Sequence, residues 1–354
     1  MARALALAEA GRYSTHPNPR VGCVIVKDGV VVGEGAHLKA GEPHAEIHAL
    51  RSAGARARGA EVFVTLEPCN HHGRTPPCVD ALIAAGVAKV FAAMTDPNPL
   101  VAGEGLARLR AAGIATDTGL LAVEAERLNP GFLSRMRRQR PWVTLKLGAS
   151  LDGRTAMASG ESQWITGAAA RADVHRLRAD AGAVLTSSAT VLNDDPALTV
   201  RDFSAPELRQ PDRIVFDTQA RVSPRSRVWT EGARRFWVMA TANAPAEKPD
   251  GVQCITAEPS PSGGLALDSA LRQLASVQIN HVLAECGPRL AGALIAERLV
   301  DELVVYLAPR LLGHEARALA ALPGLSRLAD APALQFTDIQ AVGEDLRLTA
   351  IFKD

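Results

Sequence analysis

The chain lacks any apolar run long enough for a membrane helix, which needs roughly 18 uninterrupted residues; its longest run, 81–94, is broken by Lys89. The opening stretch 1–12 is interrupted by Glu9 and has no convincing cleavage site, so no secretory signal is expected. Cysteine is scarce. Five in 354 residues cannot build a disulfide framework, and the odd number leaves a thiol unpaired, which favours a reducing compartment. Net charge is almost absent, with 39 Lys and Arg against 38 Asp and Glu. That excludes the overall basic field with which a general nucleic-acid binder neutralises phosphates, while leaving local patches open. Internal repeats, low-complexity tracts and a Gly-x-Gly-x-x-Gly fingerprint are missing as well. The expectation is a soluble, cytoplasmic protein that acts on small molecules and has neither nucleic acid nor membrane as a partner.

What is present is apolar: 47% of residues are hydrophobic, ample for a core in each of two domains at about 150 residues per domain. In the first half, strands are predicted over 21–27, 30–35, 62–66 and 89–94, and helices over 45–53, 79–85, 105–112 and 120–128. Asp28-Gly29 offers the positive φ angles of a tight hairpin turn between the first two strands. This is a three-layer α/β pattern. Arg135, Arg137, Arg138 and Arg140 then crowd a short stretch ending in Pro141. It reads as a solvated helix end and interdomain linker, with a phosphate-binding patch as the alternative, and places the boundary near residue 140. A second α/β region follows, with strands near 142–147, 183–186, 213–216, 236–239, 281–285 and 302–307 and a helix over 291–298. The stretch 258–264 reads as a surface loop, and 335–342 with 346–352 as a closing antiparallel hairpin.

The most informative residues are His44-Ala45-Glu46 and, after a predicted strand, Pro68-Cys69 followed by Cys78. One imidazole and two thiolates suit zinc, and three protein ligands leave the fourth tetrahedral position open for water. Bound zinc acidifies that water, which can then attack an electron-poor ring carbon bearing an amino group. Glu46 stands two residues after His44 at a predicted helix start, placed to carry the proton without ligating the metal. This is the His-x-Glu with Pro-Cys arrangement of zinc deaminases. One departure is the spacing: eight residues, Asn70 to Pro77, separate the cysteines where the common pattern has two. Competing readings are a closed structural zinc site, with His48, His71 or His72 as fourth ligand, and a Cys69–Cys78 disulfide.

The loop Thr65-Leu66-Glu67-Pro68-Cys69-Asn70-His71-His72-Gly73-Arg74-Thr75-Pro76-Pro77-Cys78 resembles, over its full length, the zinc loop of the bifunctional riboflavin-biosynthesis deaminase/reductase family of bacteria. Thr15-His16-Pro17-Asn18-Pro19, Asp96-Pro97-Asn98-Pro99, Lys146 to Arg154, Ser162-Gln163-Trp164-Ile165-Thr166, Asn193-Asp194-Asp195-Pro196 and Glu285-Cys286-Gly287-Pro288 extend the resemblance over nearly the whole chain. It implies a cytidine-deaminase-like three-layer domain over 1–140 and a dihydrofolate-reductase-like α/β domain over 141–354. The first would remove the ring 2-amino group of a diamino-pyrimidinone carrying a phosphoribosylamino substituent, and the second would use NADPH to reduce the ribose to a ribityl chain. By position, the resemblance makes His44, Cys69 and Cys78 the zinc ligands and Glu46 the proton shuttle. Asn18, His37, His71 and Arg74 would line the pyrimidine and ribose-phosphate pocket.

In the second half the residues alone say less. The turn Gly287-Pro288-Arg289-Leu290-Ala291-Gly292-Ala293, between a predicted strand and a predicted helix, either directs free N–H groups at a phosphate or merely shapes a bend. The resemblance implies that this turn, with Gly148, Trp164, Thr190, Asp194 and Thr218, contacts NADPH. Lys146, Ser162, Arg178, Leu198, Arg201 and Glu285 would hold the substrate, Arg178 and Arg201 as phosphate partners. A homo-oligomer, a dimer through the second domain, is implied too. Two other functions compete: a zinc deaminase of another base or nucleoside with a non-reducing nucleotide-binding second domain, and a non-enzymatic structural-zinc module.

Overall fold

Asp28 and Gly29 both take positive φ, 49° and 75°, and join β1 (Gly22–Lys27) to β2 (Val30–Ala36) in an antiparallel pair. The computed structural model describes the chain except residues 72–75, 100, 241–244, 246, 262 and 354. Its internal contacts divide it into two units: Met1–Gln139 with Ala205–Leu208, and Arg140–Ser204 with Arg209–Asp354.

The first unit continues through α1 (Ala2–Ala8), α2 (Ala45–Ala53), β3 (Glu61–Val64), α3 (Cys78–Ala85), β4 (Lys89–Ala92), α4 (Glu104–Ala111), β5 (Ala115–Thr118), α5 (Ala122–Leu128) and α6 (Pro130–Arg138). Its strands lie in the order β2-β1-β3-β4-β5. β1 runs antiparallel to β2 and β3, whereas β3, β4 and β5 are parallel. Alternation sorts each strand between the two faces: Val62, Val64, Val90 and Ala92 enter the core, while Phe63 and Phe91 stack on each other with ring centroids 4.6 Å apart. Helix α2 lies very close to β2. A Cβ on Gly35 would come 2.3 Å from the Ala45 carbonyl oxygen, so only glycine lets the start of α2 settle there.

The second unit contains β6 (Trp142–Ser150), β7 (Arg154–Ala156), α7 (Ala168–Ala181), β8 (Ala183–Ser187), α8 (Ser188–Asp194), β9 (Asp212–Phe216), β10 (Arg235–Ala240), β11 (Val252–Ala257), α9 (Leu267–Ser276), β12 (His281–Glu285), α10 (Pro288–Ala296), β13 (Glu302–Ala308), β14 (Arg317–Ala318), β15 (Leu334–Val342) and β16 (Asp345–Phe352). The large sheet runs β11-β10-β9-β8-β12-β6-β13-β16-β15. It is parallel up to β13, where β16 and β15 close it as an antiparallel hairpin. Period-two alternation again feeds two cores, as in β10, where Phe236 and Val238 face one way and Trp237 and Met239 the other. The small β7–β14 pair stands apart.

Several elements differ from the sequence expectation. The helix expected over 291–298 begins earlier, at Pro288, because proline at the first helical turn forfeits no intrahelical bond. Strand β5 reads Ala-Thr-Asp-Thr and is mostly exposed, so it carries no apolar alternation to detect. The arginine-rich stretch closes α6, where Arg137 meets Glu126 and Arg138 donates to Ser134; Arg140, in the second unit, forms a two-pronged pair with Asp301. Among the described residues no helix is long and apolar enough to cross a membrane.

Candidate active sites

His44 is the extended residue that precedes α2, and Cys78 is the first residue of α3. Cys69 lies in the loop after β3. His44 Nδ1 is 3.5 Å from Cys69 Sγ and 3.3 Å from Cys78 Sγ, and the three ligand atoms all lie within 4.8 Å of one another. Two donors held tetrahedrally at ordinary zinc–nitrogen and zinc–sulfur lengths would be about 3.6 Å apart, so this donor set fits zinc in both chemistry and spacing. All five cysteines are free thiols, which removes the disulfide reading. Among the described residues no fourth His, Cys, Asp or Glu joins the trio; His72 lies outside them.

The Cys78 amide, at the start of α3, donates to Cys69 Sγ at 3.3 Å. Hydrogen bonding from the Cys78 thiol, assisted by His44 and that amide, brings Cys69 down to about 4, as expected of a thiolate at a helix N-terminus. The same contact with Cys69, together with burial, pushes Cys78 up. Glu46, in the first turn of α2, is only 3% exposed. Burial, reinforced by the Cys69 charge, pushes its carboxyl up to about 7, which poises it to take and release a proton near neutrality.

His37 lies beside this trio, its ring 5.1 Å from that of His44 in a T-shaped contact. Its Nδ1 donates to the Pro43 carbonyl at 3.2 Å, leaving Nε2 to accept from Asn18 Nδ2 at 3.1 Å. Burial lowers its pKa, which suits this neutral, acceptor-bearing form. Asn18 and His37 therefore stand next to the metal donors. His71 is exposed on the loop, near Asp96. Arg74 falls outside the described residues. Glu67 is a component that motif reading left unassigned: its buried carboxylate accepts the amides of Asp96, Gly103 and Leu106, tying the cysteine loop to the start of α4. Close packing enforces this tie, since a Cβ on Gly105 would sit 2.2 Å from the Pro68 carbonyl oxygen. Glu67 belongs to the loop motif but nothing there gives it this role, and no pattern in the sequence marks Gly105.

The second unit holds a cavity of about 1920 Å³, roomy for a dinucleotide with a second small molecule. Gly148, Trp164, Thr190, Asp194, Thr218, Gly287, Pro288, Arg289, Leu290 and Ala293 line it, as do Lys146, Ser162, Arg178, Leu198, Arg201 and Glu285. Ala291 is instead buried in the core, and Gly292 packs against the Ala321 backbone. Gly287 caps α10, whose first turn therefore faces the cavity with a side open to approach. Ser260, Gly263 and Gly264, from the stretch expected to be a surface loop, form part of the wall.

A charged cluster occupies one end. Arg178 donates through Nε and Nη2 to the two oxygens of Glu285, at 2.6 and 3.0 Å, and through Nη1 to the Thr199 carbonyl at 2.9 Å. Lys146 Nζ lies 4.0 Å from the same carboxylate. Glu285 keeps a lowered pKa although burial opposes it, because Arg178 and Lys146 outweigh the desolvation. Lys146 is itself lowered, chiefly by burial. Cys286 also lines the cavity, but burial and the neighbouring Glu285 push its thiol up to about 12, so it offers no thiolate nucleophile.

Fold and sites together define a class: an enzyme with a cytidine-deaminase-like unit and a dihydrofolate-reductase-like unit in one chain. Residues 1–94 match the family model of the cytidine and deoxycytidylate deaminase zinc-binding region, and residues 141–348 that of the RibD C-terminal domain. The chain belongs to the RibD family of riboflavin biosynthesis proteins. It is 59% identical to the riboflavin biosynthesis protein RibD of Escherichia coli K12, over 98% of this chain and 97% of that one. The RibD of Haemophilus influenzae is 50% identical, over 99% and 95%. Among solved structures, Acinetobacter baumannii RibD superposes with a TM-score of 0.93 at 44% identity, covering 100% of this chain and 98% of that one. A deaminase/reductase of Thermotoga maritima gives 0.87 at 34%, covering 100% and 97%.

Proposed function

We propose that the chain catalyses two consecutive steps of riboflavin biosynthesis: hydrolytic deamination of 2,5-diamino-6-(5-phosphoribosylamino)pyrimidin-4-one, then NADPH-dependent reduction of the product's ribose to a ribityl chain. The observation that carries this reading is the meeting of His44, Cys69 and Cys78 beside the buried Glu46. We assign deamination to 1–140 and reduction to 141–354.

In the first domain His44, Cys69 and Cys78 would hold zinc, which when bound supplies an acidified water as nucleophile. Glu46 would pass one proton from the attacking water to the ring nitrogen, then the second, from the hydroxyl added to the ring, to the departing amine. The carbon–nitrogen bond is replaced by a carbonyl, and ammonia leaves. His37, held in one tautomer by Pro43, lines the pyrimidine and ribose-phosphate pocket together with Asn18, His71 and Arg74. When bound in the second domain, NADPH would supply a hydride to C1 of the sugar in its ring-opened imine form, with the imine nitrogen taking a proton from solvent. Gly148, Trp164, Thr190, Asp194, Thr218 and the turn 287–293 position the cofactor. Lys146, Ser162, Arg178, Leu198, Arg201 and Glu285 position the substrate. The match of the second half to the RibD C-terminal domain favours this reading over a deaminase with a non-reducing partner domain.

Incubation of zinc-assayed protein with the diamino-pyrimidinone ribotide tests the proposal. Ammonia release without NADPH, and NADPH consumption only after deamination, are expected; ammonia release with no NADPH consumption would remove the reductase. We further place the protein in the reducing cytoplasm and assign it a homodimeric state through the second domain. Light scattering at about 37 kDa, the mass of one chain, would refute that state.

A further inference from the structure

His175, on the face of α7 turned to the cavity, is 5% exposed and has no part in the assignments above. Its Nδ1 sits between two backbone groups of the segment that follows α8. The Thr199 carbonyl oxygen is 3.0 Å away, and the Arg201 amide nitrogen, 3.2 Å away, points its hydrogen at the same ring atom. One nitrogen cannot serve both. With a hydrogen it donates to Thr199; with a lone pair it accepts from Arg201. The two alternatives are unequal. Thr199 already accepts from Arg178 Nη1 at 2.9 Å, whereas among the described residues the Arg201 amide has no other acceptor. An amide left unmet against the buried ring is the costlier omission, because the Thr199 carbonyl keeps its bond from Arg178 either way.

The segment needs such pins. Leu198 is held at φ 52°, a left-handed conformation unfavourable for a bulky side chain, while lining the cavity. Gln210 clasps Val200 from one side, accepting from its amide at 2.9 Å and donating to its carbonyl at 2.8 Å. His175 and Arg178 hold the flanking residues from the other side. We propose that His175 is a positioning residue of the reductase: its Nδ1 lone pair, by accepting the Arg201 amide, fixes the 198–201 segment and with it the Arg201 side chain that receives the substrate. The inference rests on the reductase reading of the second domain.

Protonation of the ring would exchange the Arg201 bond for a redundant one to Thr199. The charged groups that face the ring are Arg178 on α7, Arg201 and Asp202 on the segment itself, and Glu285 at the end of β12. Asp202 Oδ2 lies 3.5 Å from Nε2, but its side chain is 70% exposed and weakened by solvent. Burial and the two arginines disfavour the charged ring and keep it neutral at neutral pH, and the unshared Arg201 amide selects the tautomer with its lone pair on Nδ1.

The test measures NADPH oxidation with already deaminated substrate on the full-length enzyme, between about pH 5 and pH 8, where histidine titrates. His175→Gln, whose side-chain oxygen can accept the same amide, and His175→Leu, which cannot, are compared with the parent. His175→Leu is expected to raise KM for the deaminated substrate about tenfold at every pH, as for a lost hydrogen bond, with kcat at saturation little changed. His175→Gln is expected to keep the parent KM at neutral pH and to lose the extra rise in KM that the parent shows at the acid end. A parent-like KM in His175→Leu, a fall in kcat at constant KM, or identical pH profiles for parent and His175→Gln would each overturn the assignment. A parent enzyme that oxidises no NADPH at any pH would instead overturn the reductase reading, and this inference with it.

Discussion

Arg178 grips Glu285 with both edges of its guanidinium, Nε to Oε1 at 2.6 Å and Nη2 to Oε2 at 3.0 Å, across the end of the reductase cavity. Both side chains are about 12% exposed, so neither charge is well hydrated without the other. Replacing Arg178 by Met strands a buried carboxylate and is expected to destabilise the second domain by about 3 kcal/mol. Urea unfolding followed by the tryptophans there, with NADPH oxidation as the activity readout, checks this. Arg178→Lys should recover part of the stability, because it restores charge without the fork.

Glu46→Gln is expected to reduce ammonia release by about 10² to 10⁴, the usual worth of a general acid–base group. It should leave zinc content unchanged, because Glu46 is not among the donors. Cys69→Ser should lower both zinc content and deamination. Neither substitution should slow reduction of pre-deaminated substrate. Metal analysis beside separate assays of the two half-reactions distinguishes these outcomes.

Glu67→Ala removes three amide acceptances at once, those of Asp96, Gly103 and Leu106. A loss of about 2 kcal/mol in stability is expected from the unmet donors and the lost cap on α4. Zinc affinity should fall with it, since the loop bearing Cys69 is anchored there. Competition with a colorimetric chelator would register the change.

Acid sensitivity should depend on Asp152. Hydrogen bonds from the Ser150 hydroxyl and the Leu312 and Gly313 amides hold its carboxyl at about 2, below the ordinary 3.8. The folded protein therefore binds this proton less readily than the unfolded chain. The contribution is complete above the ordinary value and is lost as pH falls from there through about 2. Asp152→Asn should be less stable than the parent at neutral pH, with a gap that closes in acid. Chemical denaturation midpoints across that range decide it.

The cluster of His44, Cys69 and Cys78 with Glu46 was legible because three of the four stand at helix starts, and metal chemistry admits few residue types. The same holds for the Asp28-Gly29 hairpin, whose backbone demand is written in two residues. Glu67 and Gly105 were not legible, since their importance arises from contact between a loop and a helix nearly 40 positions later. His175 was hidden for a similar reason: a histidine on a polar helix looks solvated until the 198–201 segment is seen to cross it. In the second half, periodicity found the buried strands. It missed α8, α9 and α7, the last with many charged residues that blur any apolar stripe, and β11, most of whose side chains are not fully buried.

Glu285 ends β12 and Gly287 caps α10, with only Cys286 between them. The group assigned to the substrate and the turn assigned to the cofactor are thus spaced by a single residue rather than by the closing of a loop. On these assignments, the spacing between the two groups is set by chain length at position 286. One residue inserted there would lengthen the link between strand and helix and shift Gly287 away from Glu285.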